Sequence, residues 1–204
     1  MSTVVYMVRH GESPKEGNER TRGLTEKGSM DALQVTEILK KDKRIDVVVS
    51  SPYIRSILTV KEIAEQIGHK VLVFEDLRER NFSSKERRLP DSELLPILEE
   101  SFIDMNYFFE GGESNADCQK RAISVFKELL DTYRDKEIVI GTHGVVMTLM
   151  MRYFDRTYDL NFLLSTSKPD IYRMEFNEQQ LVHVERIWER VKSVKERVFT
   201  VKQE

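Results

Sequence analysis

Cysteine is almost absent: Cys118 stands alone, so no disulfide can close within the chain. Glycine and proline are sparse, nine and five among 204 residues, and no repeat, low-complexity tract or flexible linker interrupts the sequence. No apolar run approaches the length of a membrane span, and the N-terminus shows no basic region followed by an apolar stretch. A cytoplasmic location and no membrane partner are expected. Positive charge is not in surplus. Lysine and arginine number 32 against 35 acidic residues, a formal net charge of −3, so the basic excess of a nucleic-acid binder is missing. The histidines at 10, 69, 143 and 183 have no metal-binding spacing, and no metal is expected.

What is present is an ordinary globular composition, 40% apolar and 33% charged. The length suits one domain over 1–204 with a single core. Apolar β-branched runs alternate with amphipathic stretches of helical length. Val4–Val8 is the first strand. Thr25 can cap a helix that buries Met30, Leu33, Ile38 and Leu39. A second strand covers 44–51. Ser51 as cap and Pro52 at the first helical position then start a helix carrying Ile54, Ile57, Leu58 and Ile63, which Gly68 ends. Residues 70–76 form a third strand and 137–143 a fourth, after which Gly144 opens a helix through Met151. Continuous apolar strands separated by helices predict a three-layer α/β/α sandwich with a mainly parallel sheet.

Two regions break this rhythm. Residues 77–114 read as loop plus helix, a small helical lid or substrate wall inserted before a helix from about Ser114 to Tyr133. Residues 170–176 and 181–188 flank the turn Asn-Glu-Gln-Gln and predict an antiparallel hairpin at the sheet edge. Beyond it, Val191, Val194, Val198 and Val201 recur at the spacing of a tail helix over about 189–204.

Five residues at four places bring chemistry to this scheme. Arg9 and His10 end the first strand, and Arg55 lies in the first turn after the second. Glu79 follows the third strand, and His143 ends the fourth. In open parallel sheets the ligand crevice lies beyond the carboxyl ends of the strands, so all of these converge. Two arginines, two histidines, a carboxylate and several helix N-termini make an anion site, and phosphate is the fitting guest. Taken singly, Arg55 reads as a surface residue and His143 as a structural histidine. His69, after the helix-ending Gly68, reads as exposed, and His183 as structural.

The segments VRHGES (8–13), GLTEKG (23–28), SSPYIRSILTV (50–60), LRER (77–80), GGES (111–114) and VIGTHGVV (139–146) occur in that order. Together they resemble the histidine phosphatase superfamily, the phosphoglycerate-mutase-like proteins, over nearly the whole chain. The resemblance implies that His10 is a nucleophile forming a phosphohistidine. An imidazole suits this because it is partly neutral near pH 7 and leaves readily once protonated. Gly11 would permit the tight turn beneath it. Arg9, Arg55 and His143 would clamp the phosphoryl oxygens, with Gly11, Ser13 and Gly144 also at the substrate. Glu79 would protonate the leaving oxygen and then activate water. Glu75, Asp76 and Glu86 lie nearby, but Leu77-Arg78-Glu79 matches the family pattern. The arginines and imidazoles supply the positive field, so no cofactor is implied.

The chain departs from many relatives in its first loop, 14–22, which is short and lacks a tryptophan-asparagine pair; Asn18 sits two positions from the usual asparagine. The second histidine continues as Gly-Val-Val, where cofactor-dependent mutases continue as Gly-Asn-Ser. Arg87-Arg88 imitates the mutases' paired basic residues only in isolation. The expectation is therefore a phosphatase acting on small phosphorylated metabolites. A phosphoglycerate mutase and a catalytically silent phospho-ligand binder are the alternatives. Among Phe102, Tyr107, Phe108 and Phe109, most are expected in the lid core and one or two at the pocket, where they would favour an apolar or aromatic leaving group. A homodimer is compatible with the sequence, which leaves the oligomeric state open.

Overall fold

Along the first strand, β1 (Thr3–Arg9), Val4, Tyr6 and Val8 join one apolar cluster while Val5 and Met7 join another. Successive residues of a strand face opposite sides, so a buried run with this division needs a helical layer on each face. The computed structural model describes residues 2–41, 44–84 and 89–188. It supplies both layers. After β1 come α1 (Glu26–Lys40), β2 (Val47–Ser50), α2 (Ile54–Gln66), β3 (Leu72–Val73) and a 3-10 turn (Glu75–Leu77). Then follow α3 (Asp91–Ile103), α4 (Asn115–Thr132), β4 (Glu137–Thr142), α5 (Gly144–Phe154), α6 (Leu160–Ser165), β5 (Asp170–Asn177) and β6 (Gln180–Arg186).

The sheet runs β3-β2-β4-β1-β5-β6. The first four strands are parallel, and β5 and β6 add antiparallel at the edge. Val35, Leu39, Val60 and Ile63 of α1 and α2 cover one face. Phe126, Leu130, Met147 and Met150 of α4 and α5 cover the other. This is the predicted sandwich with its edge hairpin. The predicted tail helix at 189–204, Glu86 and the Arg87-Arg88 pair lie outside the described residues. Among the described residues, no helix is long and apolar enough to cross a membrane.

Several local expectations are corrected. Thr25 caps α1 as predicted, accepting from Gly28 N at 3.0 Å, an interaction of about 1 kcal/mol. The buried face, however, is Gly28, Ala32, Val35, Thr36 and Leu39, while Met30 and Leu33 are 65% and 57% exposed. Small residues let α1 approach its neighbours closely, and at Gly28 a Cβ would run into the backbone of Glu12. The start of α2 moves to Ile54, with Tyr53 at its cap. Its inward face begins with Arg55, Ser56 and Thr59, which leaves Ile54 and Leu58 half exposed. The second strand spans 47–50, and the third shrinks to Leu72–Val73, whose side chains are exposed. A two-residue edge strand offers little backbone for unwanted pairing. Helix α6 was not foreseen; Asp159 caps it, accepting from Phe162 N at 3.1 Å.

Candidate active site

Three neighbouring parallel strands end at one level. His10 N donates to Thr142 O at 3.0 Å, and Ser51 N donates to Gly141 O at 3.0 Å. The chain leaving β1, β4 and β2 therefore sets His10, His143 and Ser51 side by side at the carboxyl edge. The rings of His10 and His143 meet edge-on with centroids 5.1 Å apart. Both histidines are buried, at 6% and 0% exposure.

The tautomer of His10 follows from its partner. Its Nδ1 lies 2.7 Å from Gly11 O, and a carbonyl can only accept, so Nδ1 carries the proton. Nε2 keeps its lone pair, and Arg55 Nε donates to it at 3.1 Å. Burial, followed by the positive charge of Arg55, pushes the His10 pKa well below the usual imidazole value. The ring is thus neutral near pH 7, as a nucleophile requires. Burial and Arg55 do the same to His143. His143 Nε2 shares a 2.6 Å hydrogen bond with Ser51 Oγ, while its Nδ1 has no protein partner. Tyr53 packs its ring edge-on against His143, with centroids 5.0 Å apart, and Arg55 lies over the Tyr53 ring at 4.9 Å.

One carboxylate, that of Glu19, holds two of the guanidiniums. Arg55 Nη2 donates to Glu19 Oε2 at 2.8 Å, and its Nη1 donates to the Glu19 carbonyl. Arg22 Nη2 reaches both Glu19 oxygens at 2.9 Å, and its Nη1 donates to Ser13 Oγ at 2.7 Å. Ser13 itself donates to Gly23 O at 2.6 Å. Arg9 Nη1 donates to Thr166 O at 3.0 Å and also to the Thr166 hydroxyl. Gly144 lies against Arg9: a Cβ there would come within 2.9 Å of the Arg9 Cζ. Gly11 is needed for a similar reason, since a Cβ would meet Gly28 O at 2.8 Å.

Glu79 sits over the N-terminus of α5. Its oxygens accept from Val146 N at 3.1 Å, Val145 N at 3.2 Å and Arg80 N at 2.9 Å. Helix N-termini favour such a charge. Two arginines hold the segment in place. Arg121 donates to the carbonyls of Asp76, Arg78 and Glu79, at 2.6, 3.0 and 3.3 Å. The buried Arg80 donates to Glu113 O at 2.9 Å, Ser101 Oγ at 2.7 Å and Asn115 Oδ1 at 2.9 Å. A cleft of about 1180 Å³ opens above these residues, lined by Arg9, His10, Ser13, Arg55, Glu79 and Gly144 among others. Among the described residues, no three His, Cys, Asp or Glu side chains gather as a metal site.

The family described as the histidine phosphatase superfamily (branch 1) matches residues 5–197. The chain belongs to the histidine phosphatase superfamily. Among curated relatives, it is 27% identical over 192 residues to phosphoglycerate mutase-like protein 4 of Arabidopsis thaliana, covering 88% of this chain and 83% of that one. It is 31% identical over 158 residues to the probable phosphoglycerate mutase GpmB of Erwinia tasmaniensis, covering 72% of each. Among solved structures, a mycobacterial glucosyl-3-phosphoglycerate phosphatase superposes with a TM-score of 0.74 at 18% identity, covering 94% of this chain and all of that one. A phosphoserine phosphatase mutant from Entamoeba histolytica, in complex with phosphoserine, gives 0.73 at 22% identity, covering 88% and 94%. Both carry the same fold.

For this histidine phosphatase, the structure puts Arg9, His10, Ser13, Arg55, Glu79 and Gly144 in the wall of one cleft, with Gly11 and His143 packed directly against His10. Sequence reasoning missed Glu19, Arg22 and Thr166. Nothing in the motif order marks a carboxylate inside an anion site. Ser51 was read as a helix cap. Its oxygen does accept from Tyr53 N at 3.1 Å, but it also holds His143. The aromatic segment is corrected: Phe102, Tyr107, Phe108 and Phe109 are absent from the cleft wall, and the last two are 60% and 47% exposed. Leu94, Leu95 and Leu98 of α3 line it instead. His69 and His183 are exposed, outside the cleft.

Proposed function

We infer that this protein is a phosphate monoester hydrolase working through a phosphohistidine on His10. The observation that carries the reading is the state of the His10 ring: neutral, with Nδ1 held by Gly11 O and the Nε2 lone pair beside Arg55. Nε2 attacks phosphorus as the ester P–O bond breaks. Arg9, Arg55 and His143 hold the phosphoryl oxygens, and the His143 Nδ1 is the ring nitrogen left for that task. A protonated Glu79 hands its proton to the departing oxygen and is left as the carboxylate that the α5 N-terminus favours. Water then attacks the phosphorus and gives a proton to Glu79. The P–N bond breaks, and its electron pair returns to Nε2. The arginines and imidazoles supply the positive field, so no metal enters these steps.

The names of the two curated relatives favour a second reading, a phosphoglycerate mutase. Such an enzyme must keep the phosphoryl group on histidine and return it to the substrate. The Val145-Val146 continuation after His143-Gly144 supports the hydrolase instead. A catalytically silent phospho-ligand binder would need neither the neutral nucleophile nor Glu79. The test is phosphate release from p-nitrophenyl phosphate, 3-phosphoglycerate and sugar phosphates with chelator present, alongside a primed mutase assay. Release that survives chelator and disappears in His10→Ala is expected. Isomerisation without release would replace the proposal with the mutase, and neither activity would leave the silent binder. The substrate is a small phosphorylated metabolite, met in the cytoplasm.

A further inference from the structure

We propose that the cleft above His10 is built for a monoester whose organic part is apolar and uncharged, an alkyl or aryl body held between α3 and α6. The inference starts from the phosphatase reading and deepens it by naming a substrate class. At about 1180 Å³ the cleft is far larger than a phosphoryl group requires. Its floor is charged. Its walls carry Phe82, Leu94, Leu95, Leu98, Leu163 and Leu164. Leu95 and Leu164 are 41% and 59% exposed although they line a concave surface. A ligand that covers them gains the free energy of removing their surface from water.

The apolar wall is continuous with the phosphoryl floor. A Cβ built on Gly144 would meet the Arg9 guanidinium at 2.9 Å and the Leu163 Cδ1 at 3.1 Å, so the two groups flank one glycine. A phosphate on Arg9 would therefore have Leu163 close by. Three of the positive charges farther out are already paired with carboxylates, while Lys168 also lines the cleft. Arg20 grips both Glu75 oxygens at 2.9 and 2.6 Å, Lys15 reaches Asp91 at 3.1 Å, and Arg78 reaches Asp76 at 3.3 Å. Among the described lining residues, every guanidinium outside the floor already donates to a protein oxygen. A substrate carboxylate there would compete with, and be repelled by, the carboxylates already in place.

Alkylphosphonates test this directly, because they keep the anionic head and their P–C bond is not an ester. Binding of methyl-, butyl- and hexylphosphonate to the full chain is measured by calorimetry. Affinity is expected to rise about threefold per methylene until the cleft is filled, with an increasingly negative heat-capacity change. A Leu95→Gln/Leu164→Gln variant, checked for native circular dichroism and unfolding temperature, is expected to flatten the series. A flat series in the parent overturns the proposal. So does tighter binding of 3-phosphonopropionate than of butylphosphonate, which is similar in length but uncharged at its tail. The phosphatase reading is judged separately by phosphate release. A rising series without turnover defeats that reading and keeps the apolar cleft, whereas turnover with a flat series does the reverse.

Discussion

Arg55 Nε donates to His10 Nε2 across 3.1 Å while the same guanidinium grips the Glu19 carboxylate at 2.8 Å. One side chain thus touches the proposed nucleophile and a carboxylate that would compete with a bound phosphoryl group. Lysine cannot reproduce this fork. Arg55→Lys is expected to lower kcat/KM roughly 10- to 100-fold, the loss of one or two charge-assisted hydrogen bonds. Steady-state kinetics on p-nitrophenyl phosphate measure it. Parent-like activity would show that charge alone suffices.

Glu19 draws positive charge from Arg55 and Arg22, so it opposes an incoming anion. Glu19→Gln is expected to strengthen competitive inhibition by inorganic phosphate roughly three- to tenfold. An unchanged or weaker inhibition constant would mean that Glu19 chiefly orients the arginines.

Glu79→Gln retains the shape of the side chain and removes the proton that Glu79 is proposed to transfer. Turnover of an alkyl phosphate, with its poor leaving group, is expected to fall roughly 100- to 10,000-fold. Turnover of p-nitrophenyl phosphate should fall much less, because that leaving group needs little protonation. Equal losses on both would remove Glu79 from the acid role.

Much of this arrangement was legible in the sequence because strand ends are strongly marked. Val4–Val8 runs straight into Arg9-His10, and 137–142 runs into His143-Gly144, so the site could be placed where parallel strands finish. Glu19 could not be placed. A carboxylate between two arginines contradicts the charge logic of an anion site, and only the folded first loop shows it. Met30 and Leu33 misled for a different reason: the face of α1 is set by how closely Gly28 and Ala32 approach their neighbours, which outweighs the hydrophobicity of single side chains. The start of α2 was misread because its inward face is polar where it serves the site.

The two buried histidines have a cost at low pH. Their folded pKa values lie well below 6.5, so the unfolded chain binds more protons as pH falls. Stability is fully present above the unfolded value of about 6.5 and is lost as pH falls toward the folded values. Urea unfolding between pH 7.5 and 5 is expected to show this decline, and His143→Gln is expected to reduce its slope. An identical slope in the variant would assign the decline to other groups.

Gly28→Ala places a methyl group against the Glu12 backbone just behind Gly11. It is expected to destabilise the fold by about 1–3 kcal/mol, the usual range for overpacking. Thermal unfolding measures it, and an unchanged melting temperature would show that α1 yields without cost.

Arg80 has one further consequence. Its backbone N–H steadies the Glu79 carboxylate, while its guanidinium is fastened to Ser101 on α3. The proposed proton donor and the leucine-bearing α3 are thereby linked through one side chain. In the proposed mechanism, a leaving group that wedged α3 outward would also pull Glu79 away from the bond it protonates. Poorly fitting esters would then be penalised at the moment of cleavage, and discrimination would show in kcat as well as in binding.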